Sequence, residues 1–397
     1  MVIAIENQIE SNQKLNSHKG KLRILLDARK LYDGGIGVYT QNLIEGLLNT
    51  GEVQLSIIVK PDEELPTRWL EEVTVMEDAA KPYSYDEMLN LPKRIDFSEI
   101  DLFHVPHYTL PFKVPVRSVI TIHDLIHINR PERRYYPMIA APLVRSAMKR
   151  AATILTVSEA SKSEILNLVN SNAKLASKIR VVPNAVDSFF IQKAISRKKN
   201  GQAKPKVCGR YLLSIFSNLK PHKGLKDLLL AFQQVQKSHK DIKLVLAGHG
   251  TEGIVGNGEL LELTSSIKNI IILGSLSKDE LADVFRNAEA LVVPSLAEGF
   301  FIPVIEAQAM GTVVITRPVP ATLEIVRKTD LVCKDFTVSA LADKISEHIA
   351  RSDRRVPGQE AAMQEELALE DHLKRFDQLS VAKTVLQIYK ETLAEKF

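Results

Sequence analysis

The stretch ALVVPSLAEGFFIPVIEA, residues 290–307, contains an apolar strand, a loop with a glycine and the start of a helix. A continuous apolar run is typical of a strand covered on both faces of a parallel sheet. In such sheets ligands bind beyond the carboxyl ends of the strands, where this loop begins. We predict that Glu298 in the loop and Glu306 in the helix face one cleft, with room for a phosphate at the helix N-terminus.

The same alternation of short apolar strands and amphipathic helices runs through both halves of the chain. It predicts strands at 22–26, 54–59, 102–105, 118–122, 153–157 and 179–182, and then at 211–215, 243–247, 270–273, 290–293 and 313–315. Helices are predicted between them, for example at 38–48 and 158–168. The fold class is therefore α/β, with two Rossmann-like, doubly wound parallel-sheet domains facing a cleft.

Breaks in this alternation divide the chain into five segments. We predict a loose tail at 1–20, a first domain at 21–192, a linker at 193–206, a second domain at 207–371 and a C-terminal helix at 372–397. The linker has six basic and no acidic residues. The spacing of Phe376, Val381, Val385 and Tyr389 predicts the last helix, which caps the second domain or crosses back to the first.

Composition narrows the classes of function. The 397 residues carry 52 Lys and Arg against 48 Asp and Glu, and this small net charge of +4 argues against nucleic acid as the main partner. Cys208 and Cys333 lie too far apart for a disulfide scaffold or a cysteine zinc site, which fits a reducing compartment. Without a signal-like start or an apolar run long enough to span a bilayer, we expect a cytoplasmic protein.

Glycines follow the first strand at Gly34, Gly35 and Gly37. Between a strand and a helix, glycines let backbone N–H groups approach an anion such as a diphosphate. The spacing is not that of the dinucleotide-binding pattern, and a tight turn without a ligand is the alternative.

Two further motifs end predicted strands. His123 and Asp124 follow one strand, where the histidine can donate to a polar ligand and Asp124 can orient it or cap a helix. His104 and His107 end the neighbouring strand and either line the same cleft or pack. In the second half, Lys223 follows a strand and precedes a helix, where an ammonium can neutralise a leaving phosphate or simply be solvated.

Taken together, these motifs resemble the retaining nucleotide-sugar glycosyltransferases of the GT-B fold, more narrowly the mannosyltransferase-like members of family four. The resemblance runs from about Lys21 to the C-terminus and depends most on the segment from Glu298 to Glu306. Supporting motifs stand in the family's order at 122–124, 157–161, 182–187 and 221–223.

The resemblance implies a role for each matching residue. His123, Lys223 and Glu298 are the expected catalytic residues, with His123 at the donor sugar, Lys223 on the donor phosphate and Glu298 on the hexose hydroxyls. Glu306 is expected to hold the nucleotide ribose, and the final helix to cross back to the first domain. The expected donor-binding residues are Gly35, Gly37, Asn218, Lys223, Glu298, Gly299, Phe300, Phe301, Ile302 and Glu306. Gly34, Tyr39, His107 and Asp124 are expected on the acceptor side.

Two positions depart from the family pattern. Asn218 stands where many members have an arginine, which leaves one cation fewer on the diphosphate. Phe301 replaces the second glycine of a Gly-Phe-Gly loop and needs space that glycine does not.

The expected reaction is transfer of a hexose, with mannose from GDP-mannose favoured, to a hydroxyl of a glycan or lipid-linked acceptor by a metal-independent, front-face mechanism. No cofactor is expected, since Lys223 and helix N-termini neutralise the phosphates. A UDP-sugar donor, a non-catalytic sugar-nucleotide or glycan-binding protein and a sugar-nucleotide epimerase are the alternatives. The basic and aromatic segment from Arg130 to Arg150 predicts peripheral contact with an anionic membrane, or else a solvated helix.

Overall fold

The computed structural model describes residues 20–195, 206–352 and 359–395. Almost all of the predicted tail and residues 196–205 of the predicted linker lie outside the described residues. No helix in the described part of the chain is long and apolar enough to cross a membrane.

The first domain is a seven-stranded parallel sheet in the order β3-β2-β1-β4-β5-β6-β7. Its strands are β1 Leu22–Asp27, β2 Val53–Val59, β3 Thr74–Glu77, β4 Leu102–Val105, β5 Arg117–Ile122, β6 Thr153–Thr156 and β7 Ile179–Val181. Its helices are α1 Gly34–Thr50, α2 Thr67–Glu72, α3 Tyr85–Arg94, α4 Ile126–Asn129, α5 Tyr136–Arg150, α6 Glu159–Leu168 and α7 Ala173–Ala176. The next helix, α8 Ser188–Ile195, packs on the core of the second domain through Phe190. The order reverses at β1 and β4, so helices cover both faces and the central strands are buried.

The second domain is a six-stranded parallel sheet in the order β10-β9-β8-β11-β12-β13. Its strands are β8 Tyr211–Ile215, β9 Lys243–Ala247, β10 Ile270–Gly274, β11 Ala290–Val293, β12 Val313–Thr316 and β13 Leu331–Val332. Its helices are α9 Leu225–Val235, α10 Gly258–Ser266, α11 Lys278–Asn287, α12 Ile302–Ala309, α13 Pro320–Leu323, α14 Val338–Ser352 and α15 Gln359–Lys374, with 3-10 turns at Pro221–Lys223 and His249–Ile254. Two doubly wound parallel sheets confirm the predicted fold class.

The C-terminal segment crosses between the domains. The single helix predicted from residue 372 is wrong, because His372 belongs to α15 and a new helix, α16 Gln378–Ala394, begins after Asp377. The Asp377 side chain caps α16 by accepting from the N–H of Ser380 at 2.9 Å. Phe376 packs in the core of the second domain, whereas Val385 packs against α1 in the first. The polypeptide therefore passes from one core to the other at the cap.

Candidate active site

A cleft of about 830 Å³ lies between the carboxyl ends of the two sheets. Most of the residues predicted for the site line it: Gly34, Gly35, His107, His123, Asp124, Asn218, Lys223, Glu298, Gly299, Phe300, Phe301, Ile302 and Glu306. Gly37 and Tyr39 do not line the cleft, and both are buried beneath it. At Gly37 a Cβ would lie 2.4 Å from the carbonyl oxygen of Leu31, so glycine is needed there for packing.

The first turn of α1 offers backbone donors to the cleft. Gly34 adopts a left-handed φ of 53°, and Asp33 at the N-cap makes no side-chain bond to the helix. The N–H of Gly34 donates to the Tyr32 carbonyl, and the amides of Gly35 and Ile36 remain available, as an anion at the positive end of a helix dipole requires.

Lys223 and Glu298 form a paired charge at the centre of the second-domain wall. The Lys223 Nζ donates to both carboxylate oxygens of Glu298, at 2.9 and 2.8 Å, and the Ser295 hydroxyl donates to Oε1 at 2.7 Å. Gly224 turns the chain into α9 with a left-handed φ of 73°, where a Cβ would meet the Pro294 carbonyl at 2.3 Å. The two loops are thus held in contact, and a substrate that takes either charge must separate this ion pair.

Phe301 finds space inside the second domain. Its φ of −117° is an ordinary extended value, so the backbone here does not require the family's glycine. The side chain is buried in the domain core, and the Lys223 Nζ lies 5.4 Å from the centre of its ring. The phenyl ring therefore stabilises the ammonium through a cation–π contact. Asn218 also lines the cleft, and its Oδ1 accepts from the N–H of Lys220 at 3.2 Å.

Glu306 is a buried acid in the second turn of α12. Its side chain makes no hydrogen bond to any described residue, and 8% of the residue is exposed. Burial raises the pKa of Glu306 to about 8, and the nearby Asp187 carboxylate adds to this shift. This carboxyl is therefore mostly neutral at pH 7.

His123 lies on the opposite wall, at the end of β5. Its Nε2 is 3.1 Å from the Pro106 carbonyl oxygen, and burial lowers its pKa to about 4, so the ring is neutral and Nε2 carries the proton. Asp124 does not orient this ring: its Oδ1 accepts from the N–H of Ile126 at 2.9 Å. Gly299 allows the two domains to come into close contact here, because a Cβ at this position would lie 2.3 Å from the His123 carbonyl oxygen.

A buried chain of polar groups leads from α16 to His123. Tyr389 OH lies 2.5 Å from His104 Nδ1, His104 Nε2 lies 2.8 Å from Thr121 Oγ1, and that oxygen lies 3.1 Å from Tyr39 OH. The Tyr39 ring meets the His123 ring edge-on, with centroids 4.7 Å apart. His104 therefore packs rather than lining the cleft. This series of contacts was not predictable from the sequence, because Tyr389 occupies one more position of the apolar helix pattern.

A charged cluster underlies the first-domain side of the cleft. Asp27, Glu87 and His107 have ligand atoms within 4.8 Å of one another, as a metal site requires. However, the Arg29 guanidinium already binds Asp27 and Glu87, with Nη2 2.5 and 2.7 Å from their oxygens. The cluster is therefore an ion-pair network with its own cation. His107 bonds through Nδ1 to Thr109 Oγ1 at 2.8 Å.

Comparisons with known proteins agree with the fold. Residues 196–364 match the family profile described as glycosyl transferases group 1, and residues 33–188 match the one described as glycosyltransferase family 4. The chain belongs to the family four glycosyltransferases of the GT-B fold. The chain is 28% identical over 257 residues to an O-antigen chain mannosyltransferase of Escherichia coli, covering 63% of the chain and 65% of that relative. It is also 28% identical to an O-antigen chain mannosyltransferase of Salmonella typhimurium, covering 61% and 63%.

The chain thus spans somewhat less than two thirds of the length of either relative. Among solved structures, a glycosyltransferase from Rickettsia africae superimposes with a TM-score of 0.69 at 18% identity, covering 95% of this chain and all of that one. Anabaena HepE in complex with UDP and glucose gives 0.68 at 17% identity, covering 93% and all of that chain. At these identities the likeness supports the GT-B fold alone.

Proposed function

We propose that the protein is a retaining hexosyltransferase that moves mannose from a nucleoside diphosphate sugar, GDP-mannose being favoured, to a hydroxyl of a glycan or lipid-linked acceptor. The observation that carries the proposal is the Lys223–Glu298 pair in one wall of the cleft, with Glu306 beside it and a neutral His123 opposite. The names of the relatives from Escherichia coli and Salmonella typhimurium favour mannose.

In the proposed reaction, Lys223 and Glu298 bind different parts of the donor. Lys223 moves to the distal phosphate, and Glu298 accepts from hexose hydroxyls, so that donor binding replaces their ion pair. The bond between the hexose C1 and the phosphate oxygen breaks while the acceptor oxygen bonds C1 from the same face. The acceptor proton passes to the released phosphate oxygen. The Lys223 ammonium and the first-turn amides of α1 stabilise the charge that develops on the diphosphate.

The remaining residues have supporting parts in this proposal. Glu306 bonds the ribose hydroxyls, and the neutral His123 ring contacts the hexose. Closure over the reacting atoms excludes water, which strengthens each electrostatic contact inside the cleft.

The test is a panel of nucleotide sugars, scored by thermal stabilisation and slow donor hydrolysis. Wild type should respond to GDP-mannose, and both responses should be lost in Lys223→Ala and Glu306→Ala. Lys226→Ala is the matched control, because Lys226 is a surface lysine three residues on that pairs with Glu259. A response to a UDP-sugar alone would move the assignment to a glucosyl- or galactosyltransferase. Binding without hydrolysis or transfer would favour a sugar-nucleotide-binding protein.

We also propose peripheral contact with the cytoplasmic face of a membrane, through a narrower patch than the sequence suggests. Met138 and Ile139 are 77% and 59% exposed, beside the exposed Arg133 and Arg134. Arg150 does not contribute, since it bonds the Pro111 carbonyl and packs over Phe112. Exposed apolar tips among cations suit an anionic lipid surface.

Co-sedimentation with anionic vesicles tests this contact. Wild type should bind at low salt, and the double variant Met138→Glu, Ile139→Glu should not. Leu70→Glu, at another exposed apolar position, should bind like wild type. Equal binding by all three proteins would refute the patch.

A further inference from the structure

Three stacked rings form a wall on the first-domain side of the cleft. Tyr83 and Tyr108 have centroids 5.2 Å apart at 24°, and Tyr108 and His127 have centroids 4.8 Å apart at 13°. All three line the cleft. They come from the β3–α3 connection, the segment after β4 and the short helix α4, so the stack exists only in the folded chain.

Tyr83 is held in place against a backbone preference. Its φ is 68°, in the left-handed region that non-glycine residues seldom adopt, and 41% of the residue is exposed. Its N–H donates to Glu87 Oε2 at 2.5 Å, and the Lys30 Nζ donates to its hydroxyl at 2.9 Å. Because Glu87 is itself bound by Arg29, the buried ion-pair network fixes the position of an exposed ring.

Two ring nitrogens beside this wall make no hydrogen bond to a described residue. His107 is 2% exposed, and its Nε2 is buried without a hydrogen bond, 3.6 Å from the nearest Asp27 oxygen. His127 Nε2 is likewise buried and unpaired. Burial lowers the pKa of His127, so its ring is neutral and has one donor and one acceptor nitrogen. Buried polar atoms without hydrogen bonds are costly, and both of these residues line the cleft, where a small shift of either ring would let a ligand hydroxyl bond it.

The local charge argues against an anionic ligand. Burial and the surrounding carboxylates of Glu87, Asp33, Asp27 and Asp124 raise the pKa of the Tyr83 hydroxyl, so the electrostatic field at this ring is negative. The Lys30 ammonium is already committed to Tyr83 and, at 3.7 Å, to Asp33. This negative field disfavours a phosphate or carboxylate beside Tyr83. Apolar ring walls with a few fixed polar atoms instead suit a neutral polyhydroxylated ring.

We propose that Tyr83, Tyr108 and His127, with His107 at their edge, form the acceptor subsite and bind a neutral pyranose that presents its hydroxyl to the reaction centre. This inference rests on the proposed hexosyl transfer and deepens it. If the acceptor carries a phosphate, that group lies farther from the reaction centre than the bound pyranose.

The test separates acceptor binding from donor use. Tyr83→Gly removes the ring and tolerates the left-handed backbone, and His127→Phe keeps the stack and removes the ring nitrogens. Transfer from the donor to methyl α-mannoside, α-glucoside and α-galactoside is measured beside donor hydrolysis, with mannose 6-phosphate as the anionic competitor. Both variants should raise the acceptor KM at least tenfold and keep donor KM and hydrolysis within twofold of wild type. Tyr85→Ala, at an 88% exposed tyrosine outside the cleft, should match wild type.

An unchanged acceptor KM in both variants, or stronger inhibition by mannose 6-phosphate than by the neutral glycosides, would overturn the subsite. Direct binding of the same glycosides, measured by NMR of the ligand, distinguishes this outcome from failure of the proposed function. If wild type hydrolyses no donor, the proposed function fails. Glycoside binding that is lost in Tyr83→Gly would still support the subsite, and no binding by wild type would overturn it.

Discussion

Replacing Glu306 by Gln should stabilise the protein above pH 5, and increasingly so as the pH rises. The change keeps the shape of the side chain and fixes it in a neutral form. In the wild type the pKa of Glu306 is raised from 4.5 to about 8, chiefly by burial. A raised carboxyl pKa means that the folded protein holds a proton that the unfolded chain releases, so its contribution to stability is complete below pH 4.5 and is lost as the pH rises through 8.

The magnitude follows from the two pKa values. Each pH unit between them lowers the free energy of unfolding of the wild type, relative to Glu306→Gln, by about 1.4 kcal/mol. The difference is therefore below about 1 kcal/mol at pH 5 and about 3 kcal/mol at pH 7. Urea unfolding followed by circular dichroism at pH 5, 6, 7 and 8 measures it. Other titrating groups, including the buried histidines, cancel in the comparison of the two proteins. A difference that stays constant across this range would refute the reasoning.

Two other substitutions test the contacts that hold the site. Gly299→Ala places a Cβ 2.3 Å from a first-domain carbonyl oxygen. It should reduce turnover at least tenfold, with little loss of thermal stability. Gly258→Ala, where a Cβ meets nothing within 4 Å, should leave both turnover and thermal stability unchanged. Tyr389→Phe leaves His104 Nδ1 unpaired and should cost about 1–3 kcal/mol in urea unfolding, with a fall in kcat at unchanged donor KM. Thr392→Val removes another buried hydrogen bond of α16 and leaves the contacts from Tyr389 through His104 to Thr121 intact. An equal fall in its kcat would therefore contradict the role of Tyr389.

Strands that are buried on both faces were predictable from the sequence. β4 and β8 begin and end at the predicted residues, because their continuous apolar runs admit one interpretation. β3 was missed because it is an exposed edge strand, and β13 because two residues give no pattern. The helix boundary at Asp377 was missed because the apolar spacing continues through the cap, although the residues on either side of it pack in different domains.

The site residues that follow the carboxyl ends of strands were predictable from the sequence. Lys223, Glu298 and Glu306 each follow a strand in sequence, so the parallel sheet brings them to one edge. Their mutual contacts were not predictable, because the Lys223–Glu298 pair joins two loops 75 residues apart. The wall of Tyr83 and its neighbours depends wholly on tertiary contacts, and no local pattern marks it.

The measurement that tests the central claim most directly is NMR of the sugar transferred from GDP-α-mannose to a methyl hexoside by wild type and by Lys223→Met. The account predicts an α-mannosyl product from wild type and turnover about 10²–10³ lower in the variant, since one preorganised charge on the leaving phosphate is lost. A β-mannosyl product, or equal turnover by the two proteins, would contradict it.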